Sequence, residues 1–186
     1  MSVLAIDTSS RSRVVCVVAS ATGEPLDAEV IRDAPVAASL PRLLGRMLVA
    51  VDTAVVVVTG PGTYTGVRAG MAAALGVAHA RNLPLHGVGS LEVVASGDPE
   101  AATSDWAVAE AGRGALYVAR VGDAAHPSRV PEAGFDARGA RVLSTDRIGI
   151  AGLVLVDPAL ALARAVPLAL SRVALDRSGL TALYVD

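Results

Sequence analysis

The alternation of apolar and polar stretches in the first half of the chain predicts a mixed α/β unit. Short apolar runs bounded by turn residues predict strands at 3–6, 14–20, 27–32, 54–58 and 85–88. Apolar residues at helical spacing predict helices at 39–49, 66–81 and 90–95. Ser39 is the expected N-cap of the first helix, and Asn82 is the expected end of the second. Strands and helices in this order are typical of an α/β domain.

A polar segment rich in turn residues divides the chain. Its sequence, SGDPEAATSD at 96–105, has no apolar periodicity. It predicts a boundary between a first subdomain at 1–97 and a second at 105–186, whose last helix can pack back on the first. Beyond the first hairpin of the second half, the pattern predicts a strand, two helices and a terminal strand at 153–156, 158–166, 168–178 and 182–185.

The opening pattern of the chain recurs after this boundary. The stretch VLAIDTSSRSRVV begins at Val3, and WAVAEAGRGALYV begins at Trp106. In both, an apolar strand ends in a carboxylate, which is Asp7 in the first half and Glu110 in the second. A turn with an arginine and a second apolar strand follow. The repeat predicts two related subdomains, the second of them shorter.

Composition narrows the class of protein. Apolar residues make up 53% of the chain and charged residues 18%, which is ample for a packed core. The net charge of −2 gives no overall attraction to nucleic acid. The single cysteine, Cys16, excludes an internal disulfide framework, so a reducing cytoplasm is the expected location. The start of the chain lacks the basic residues of a signal peptide. Charges interrupt every apolar stretch before a membrane-spanning length of about 18 residues.

The stretch TGPGTYTGVRAG at 59–70 places three glycines between a predicted strand and a predicted helix. Such loops often bind phosphate, because the first amides of a helix are free and its dipole is positive there. The spacing fits neither the P-loop nor the dinucleotide-binding fingerprint, and the chain contains no lysine. A shaped turn without a ligand is the favoured interpretation. The candidate nucleotide-binding residues are Asp7, Thr8, Ser9, Gly60 and Gly62.

No set of residues predicts a metal or hydrolytic site. His79, His86 and His126 are scattered, and no His-x-x-x-His pair or Gly-x-Ser-x-Gly motif is present. We therefore expect no catalytic residue, no metal and no tightly bound cofactor, while weak nucleotide binding stays open.

The helix predicted at 66–81 has two apolar stripes. One, with Val67 and Met71, can cover a sheet; the other consists mostly of small residues, Gly66, Gly70, Ala73 and Val77. A glycine inside a helix costs about 1 kcal/mol relative to alanine, so its presence needs a reason. Close approach of a partner helix and an ordinary neighbour within the chain are both sufficient, and spacing alone does not decide between them.

Two segments resemble the bacterial TsaB family, also called YeaZ. LAIDTSS resembles the family's opening LAIDTST, and residues 59–95 resemble its GPGSFTGLRIG helix followed by GIPLVGVSSLEALA. EAGRGALY resembles the family's DARRGEVY less closely, and beyond about residue 122 only the order of elements is similar. PVAASLP stands where family members often have HSExLLP, without the histidine or glutamate, and the chain is shorter there and in its second half.

The resemblance implies an actin-like ATPase fold (ribonuclease-H-like, ASKHA), of the α/β class, with two related subdomains and a shortened second one. It implies a non-catalytic subunit for the synthesis of N6-threonylcarbamoyladenosine at tRNA position 37. The expected partners are the catalytic subunit TsaD, the ATPase TsaE, tRNA through the complex, or a second copy of the chain. The expected interface residues are Leu40, Leu44, Met47, Gly66, Gly70, Ala73 and Val77. The alternative is an actin-fold ATPase or kinase that uses Asp7 and the glycine loop; a glycoprotease is disfavoured, because metal-binding histidines are missing.

Overall fold

Two five-stranded sheets form the framework of the chain. The computed structural model describes residues 1–176; the strand predicted at 182–185 and the end of the helix predicted at 168–178 lie outside them. The strands are β1 Ser2–Asp7, β2 Arg13–Ser20, β3 Pro25–Arg32, β4 Ala54–Val58, β5 Leu85–Val88, β6 Trp106–Gly112, β7 Ala115–Arg120, β8 Ser128–Pro131, β9 Val142–Ser144 and β10 Leu153–Leu155. The helices are α1 Val36–Met47, α2 Tyr64–Arg81, α3 Ser90–Ser96, α4 Pro158–Arg164 and α5 Val166–Leu170.

The first sheet has the strand order β3-β2-β1-β4-β5. Its first three strands are antiparallel, whereas β4 and β5 run parallel to β1. In the register of the sheet, Leu4 lies between Val18 and Val55. β1 and β4 are buried on both faces, because α1 and α2 cover one face while α4 and α5 cover the other. Two helices from the second half of the chain thus complete the core of the first sheet.

The second sheet repeats the pairing of the first. Its order is β10-β9-β6-β7-β8, with an antiparallel β6-β7-β8 meander and with β9 and β10 parallel to β6. α3 packs on one face, and the segment that contains Phe135 and Ile148 covers the other. The predicted repeat is therefore confirmed, because β1–β2 and β6–β7 are equivalent hairpins. The two related subdomains agree with the predicted actin-like, ribonuclease-H-like architecture, and the second subdomain has fewer helices on its sheet.

The helix boundaries required two corrections. α1 begins at Val36 with Pro35 as its N-cap, so Ser39 is not the cap; its Oγ donates to the Pro35 carbonyl from inside the helix. α5 ends at Leu170, and the helix predicted through 178 is wrong over 171–176. Instead, the Leu175 amide donates to the Leu85 carbonyl at 2.7 Å, which places this segment beside β5. No helix within residues 1–176 is long and apolar enough to cross a membrane.

Candidate functional site

Asp7 and Arg13 lie side by side between the two sheets. Asp7 is the last residue of β1 and Arg13 the first of β2, and these strands are antiparallel neighbours. The Arg13 Nη1 atom donates to Asp7 Oδ2 at 2.9 Å, and both side chains are only 4% exposed. Asp7 Oδ1 accepts two further hydrogen bonds, from the Ser9 amide at 2.8 Å and from Ser9 Oγ at 2.6 Å. The carboxylate is thus occupied by donors from its own hairpin.

Arg13 also reaches the second sheet. Its Nε atom donates to Asp146 Oδ1 at 3.0 Å, and Nη2 donates to Thr145 Oγ1 at 2.5 Å. Thr145 and Asp146 directly follow β9. Ser10, from the turn after β1, donates through its Oγ atom to the same Asp146 oxygen at 3.0 Å. One arginine therefore links the ends of β1 and β9, with an aspartate on each side.

Electrostatics favour the ionised forms of Asp7 and Arg13. Burial alone would raise the pKa of the Asp7 carboxyl, but the positive charge of Arg13 and the hydrogen bonds from Ser9 outweigh burial and hold that pKa below its ordinary value of 3.8. Burial likewise disfavours the charged form of Arg13, and the two aspartates outweigh it and raise the pKa of the guanidinium. The cluster is a buried, charged network whose members depend on one another.

Several backbone groups of the glycine loop form hydrogen bonds within the chain itself. The Thr63 amide donates to the Ser9 carbonyl at 2.9 Å, and the Ser90 amide donates to the Gly60 carbonyl at 2.8 Å. Ser90 Oγ donates to the Pro61 carbonyl at 2.6 Å, and the Gly60–Pro61 peptide bond is cis. The loop therefore joins the first turn to the start of α3, which favours the interpretation as a shaped turn.

Three glycines allow this loop and α2 to lie directly on the first turn. A Cβ atom at Gly62 would stand 2.6 Å from the Ser9 carbonyl oxygen. At Gly66 and Gly70 it would overlap the carbonyl oxygen and Oγ1 of Thr8, respectively. Thr8 Oγ1 donates to the Gly66 carbonyl at 2.7 Å. Glycine is required at these positions because the backbone of α2 contacts the end of β1.

This packing corrects the interpretation of the small-residue stripe. Gly66 and Gly70 are buried against Thr8, so neither can contact a partner helix directly, and a large side chain at Gly70 would disturb the chain's own fold. The remaining predicted interface residues belong wholly or partly to the core between α1, α2 and the first sheet: Leu40, Met47 and Val77 are buried, and Leu44 and Ala73 are partly buried. That a partner covers the layer formed by α1 and α2 stays a prediction.

The space around Asp7 is nearly filled. The cavity lined by Asp7, Arg13, Gly62 and Asp146 has a volume of about 10 Å³. Outside it lies an open groove of about 630 Å³, lined by Arg11, the start of α2 and Glu110. Glu110 is the sequence counterpart of Asp7, but its side chain is exposed.

The three histidines of the chain occupy unrelated positions. His79 is exposed on α2, His86 is buried in β5, and His126 pairs with Asp123 at 2.5 Å. Across residues 1–176, no three or more His, Cys, Asp or Glu side chains are grouped so that they could hold a metal ion.

Sequence reasoning identified Asp7, Thr8, Ser9, Gly60 and Gly62 but missed Arg13 and Asp146. One signal was present, since Arg13 is a charged residue at the start of a strand that is otherwise apolar, RVVCVVAS. Asp146 gave none, because it lies 133 residues away from Arg13 in the sequence.

Two sheets of the same strand order, each built on a three-stranded meander, define an α/β protein of the actin-like, ribonuclease-H-like class. Residues 41–133, half of the chain, match the family model described as TsaD: tRNA N6-adenosine threonylcarbamoyltransferase, and the chain belongs to this family.

Solved structures show the same fold. YeaZ from Pseudomonas aeruginosa superimposes with a TM-score of 0.69 and 21% sequence identity, over 99% of each chain. A second Pseudomonas aeruginosa structure, described as an uncharacterized protein with similarity to peptidase YEAZ, gives 0.68 and 21% over 100% of this chain and 99% of the other.

Curated relatives match a shorter stretch. The uncharacterized Mycobacterium tuberculosis protein Rv3421c is 54% identical over 41 residues, which are 22% of this chain and 19% of that protein. The uncharacterized Mycobacterium leprae protein ML0378 has the same identity over 41 residues, or 11% of its length. The alignments thus span about a fifth or less of the curated relatives.

Proposed function

We propose that this chain is a non-catalytic scaffold subunit for the synthesis of tRNA N6-threonylcarbamoyladenosine, and that it binds and activates a TsaD catalytic subunit. Family membership supports the pathway. The observation that carries the non-catalytic role is the cluster between the sheets, where Asp7, the carboxylate that the enzyme alternative would use, is already paired with Arg13.

The pairing of the Asp7 carboxylate within the chain argues against the alternative of an ATPase or kinase. Such an enzyme would need the Asp7 carboxylate to face a metal-bound phosphate. Here Arg13 and Ser9 already supply donors to both carboxylate oxygens. The 10 Å³ beside them is close to the smallest volume that holds a single water molecule. Chemistry at Asp7 would first require the buried ion pair to be broken, which costs about 3–5 kcal/mol.

The layer of α1 and α2 is the surface we assign to TsaD, with a second copy of this chain as the alternative occupant. Gly45 on α1 and Gly76 on α2 are exposed, and a Cβ atom at either would meet nothing within 4 Å. Two large side chains near the ends of these helices are exposed as well, Val49 at 88% and Tyr64 at 56%. Backbones can approach closely where side chains are small, and a stable interface needs about 800 Å² per partner.

Binding of TsaD to two matched variants tests this assignment. Ala72 is exposed on α2, and Ala133 is exposed in the second half of the chain. Ala72→Arg should weaken TsaD binding by about a hundredfold, because the interface would bury an unpaired charge. Ala133→Arg should bind like the parent. Calorimetry measures binding, thermal melting checks the fold, and a reconstituted assay with TsaD, TsaE and tRNA measures modification.

The outcomes distinguish an error in the assigned interface from an error in the proposed scaffold role. Normal binding and modification by Ala72→Arg would place the interface elsewhere. A parent chain that neither binds TsaD nor supports modification would contradict the scaffold role. ATP turnover by the isolated chain, lost in Asp7→Ala while the fold persists, would establish the enzyme alternative.

We assign the weak nucleotide binding that the sequence leaves open to the outer groove. That groove has about 630 Å³ and includes the first turn of α2, where backbone amides favour anions. Titration of ATP into the parent and Arg11→Ala tests this: the variant should bind less if Arg11 meets the phosphates.

A further inference from the structure

We propose that Arg13 is an internal clasp, a side chain that fixes the relative orientation of the two sheets. This proposal does not rest on the proposed function. It rests on a single guanidinium, 4% exposed, that donates to groups of both sheets.

The donors of Arg13 are divided between the two halves of the molecule. Nη1 faces the first sheet through Asp7, whereas Nε and Nη2 face Asp146 and Thr145 at the end of β9. A guanidinium is planar and rigid, so these partners cannot rotate relative to one another without the loss of a hydrogen bond. The contact therefore fixes an angle as well as a distance.

The acceptors are themselves held in place. Asp7 is fixed by both hydrogen bonds from Ser9. Asp146 accepts from Ser10 Oγ at 3.0 Å, and its own amide donates to Ser144 Oγ at 3.1 Å. The turn after β1 thus contributes a serine on each side of the arginine.

Apolar packing between the halves lacks this directionality. α3 covers the second sheet, α4 covers the first, and the two helices pack against each other. Apolar burial depends on area and has little directional preference, so it tolerates small rotations. The contacts of Arg13 add a directional restraint to this packing, in addition to the Arg164–Gly97 and Arg172–Glu92 hydrogen bonds of α3.

Removal of the guanidinium would replace attraction between the two halves with repulsion. Asp7 and Asp146 would face each other without a cation, and two carboxylates that share a site repel. We therefore expect the ends of β1 and β9 to move apart. The space left by the side chain would be lined by two carboxylates and a hydroxyl, which a free guanidinium ion can bind.

Hydrogen exchange measures this opening. In Arg13→Ala, amides of residues 7–13 and 142–146 should exchange at least about tenfold faster, because charge-assisted hydrogen bonds on both sides are lost. Amides of the central strand β4 should keep their protection. Guanidinium chloride well below unfolding concentrations should restore slow exchange, whereas equal sodium chloride should not. Arg46→Ala is the matched control, since Arg46 pairs with Asp27 and Glu29 at the surface.

A distance between the halves separates a clasp from a local stabiliser. Spin labels on Arg42→Cys and Arg129→Cys occupy exposed positions on opposite halves, and the native Cys16 is buried. The label distance should broaden in Arg13→Ala and narrow again with guanidinium. An unchanged distance distribution, or equal rescue by sodium chloride, would overturn the proposal.

If Arg13→Ala does not fold, Asp146→Ala replaces it in the distance measurement. It removes the second-sheet carboxylate and leaves the Asp7–Arg13 pair in place. A broadened label distance in this variant supports the clasp, and the parent's distribution overturns it.

Discussion

The hairpins β1–β2 and β6–β7 share one sequence pattern but have different environments. Both join an apolar strand with a carboxylate near its end to a second apolar strand; Asp7 is the last residue of β1, whereas β6 continues past Glu110 to Gly112. In the first, Asp7 is buried and bound by Arg13. In the second, Glu110 is exposed, and Arg113 and Gly114 form an open turn. A repeated pattern of strands therefore does not repeat the chemistry of the residues between them.

The difference follows from what covers each hairpin. In the first sheet, β4 is connected to β5 through α2, whose Gly66 and Gly70 lie on Thr8. In the second sheet, the equivalent connection from β9 to β10 contains no helix. Without a helix above it, the second turn stays in water, and its carboxylate needs no partner.

The largest contrast is expected from removal of the two carboxylates. Asp7→Ala should lower the free energy of unfolding by about 3–5 kcal/mol, because Arg13 would stay buried and lose one of its two aspartates. Glu110→Ala should change it by no more than about 0.5 kcal/mol, because the side chain is exposed. Denaturant unfolding of both variants measures the difference. Equal losses would show that the two hairpins are energetically alike.

Acid should reveal the same contrast without removing a side chain. The pKa of Asp7 in the folded chain lies below 3.8, so its ionised form stabilises the fold fully above that pH. This stabilisation is lost as the pH falls below about 3.8 through the folded-state pKa. Asp7→Asn should therefore flatten the fall in stability between about pH 4 and 2, by up to about 1.4 kcal/mol per pH unit. Identical slopes for Asp7→Asn and the parent would show that folding does not lower the pKa of Asp7.

Two glycines of α2 test whether this helix packs directly on the turn after β1. Gly70→Ala should destabilise the fold by about 2–3 kcal/mol, because its Cβ atom would overlap Thr8 Oγ1 in a packed interior. Gly76→Ala should stabilise it by up to about 1 kcal/mol, because the site is open and alanine favours helix. Opposite signs in denaturant unfolding are the expected result. If Gly70→Ala proved neutral, α2 would not lie on the first turn as described.

The sequence allowed the architecture to be predicted because burial leaves a local signal. The continuous apolar runs at β1, β2 and β4 identified central strands, and the recurrent hairpin identified the second sheet. β9 has three residues, too few for periodicity to show. The start of α1 was misplaced, because a serine with cap chemistry lies inside the helix.

The site was predictable only in part. Asp7 and Ser9 were identifiable because they lie within one turn, where local chemistry suggests a ligand. The partners that decide the outcome come from elsewhere: Thr8 and Gly66 are 58 residues apart, and Arg13 and Asp146 are 133 apart. Such contacts form only when the sheets and helices have assembled, so no local pattern encodes them.

The smallest expected effect concerns the open turn itself. Arg113 has φ +55°, a left-handed conformation that strains most side chains but is adopted several-fold more often by asparagine. Arg113→Asn should therefore raise stability by about 0.5–1 kcal/mol, or the melting temperature by about 2 °C for a chain of this size. Arg11→Asn, in the turn of the first hairpin, has no such strain to relieve. Its free energy of unfolding should stay within about 0.5 kcal/mol of the parent's. A lower melting temperature for Arg113→Asn would mean that Arg113 makes a stabilising contact that outweighs its backbone strain, and that the second turn is held by more than its backbone.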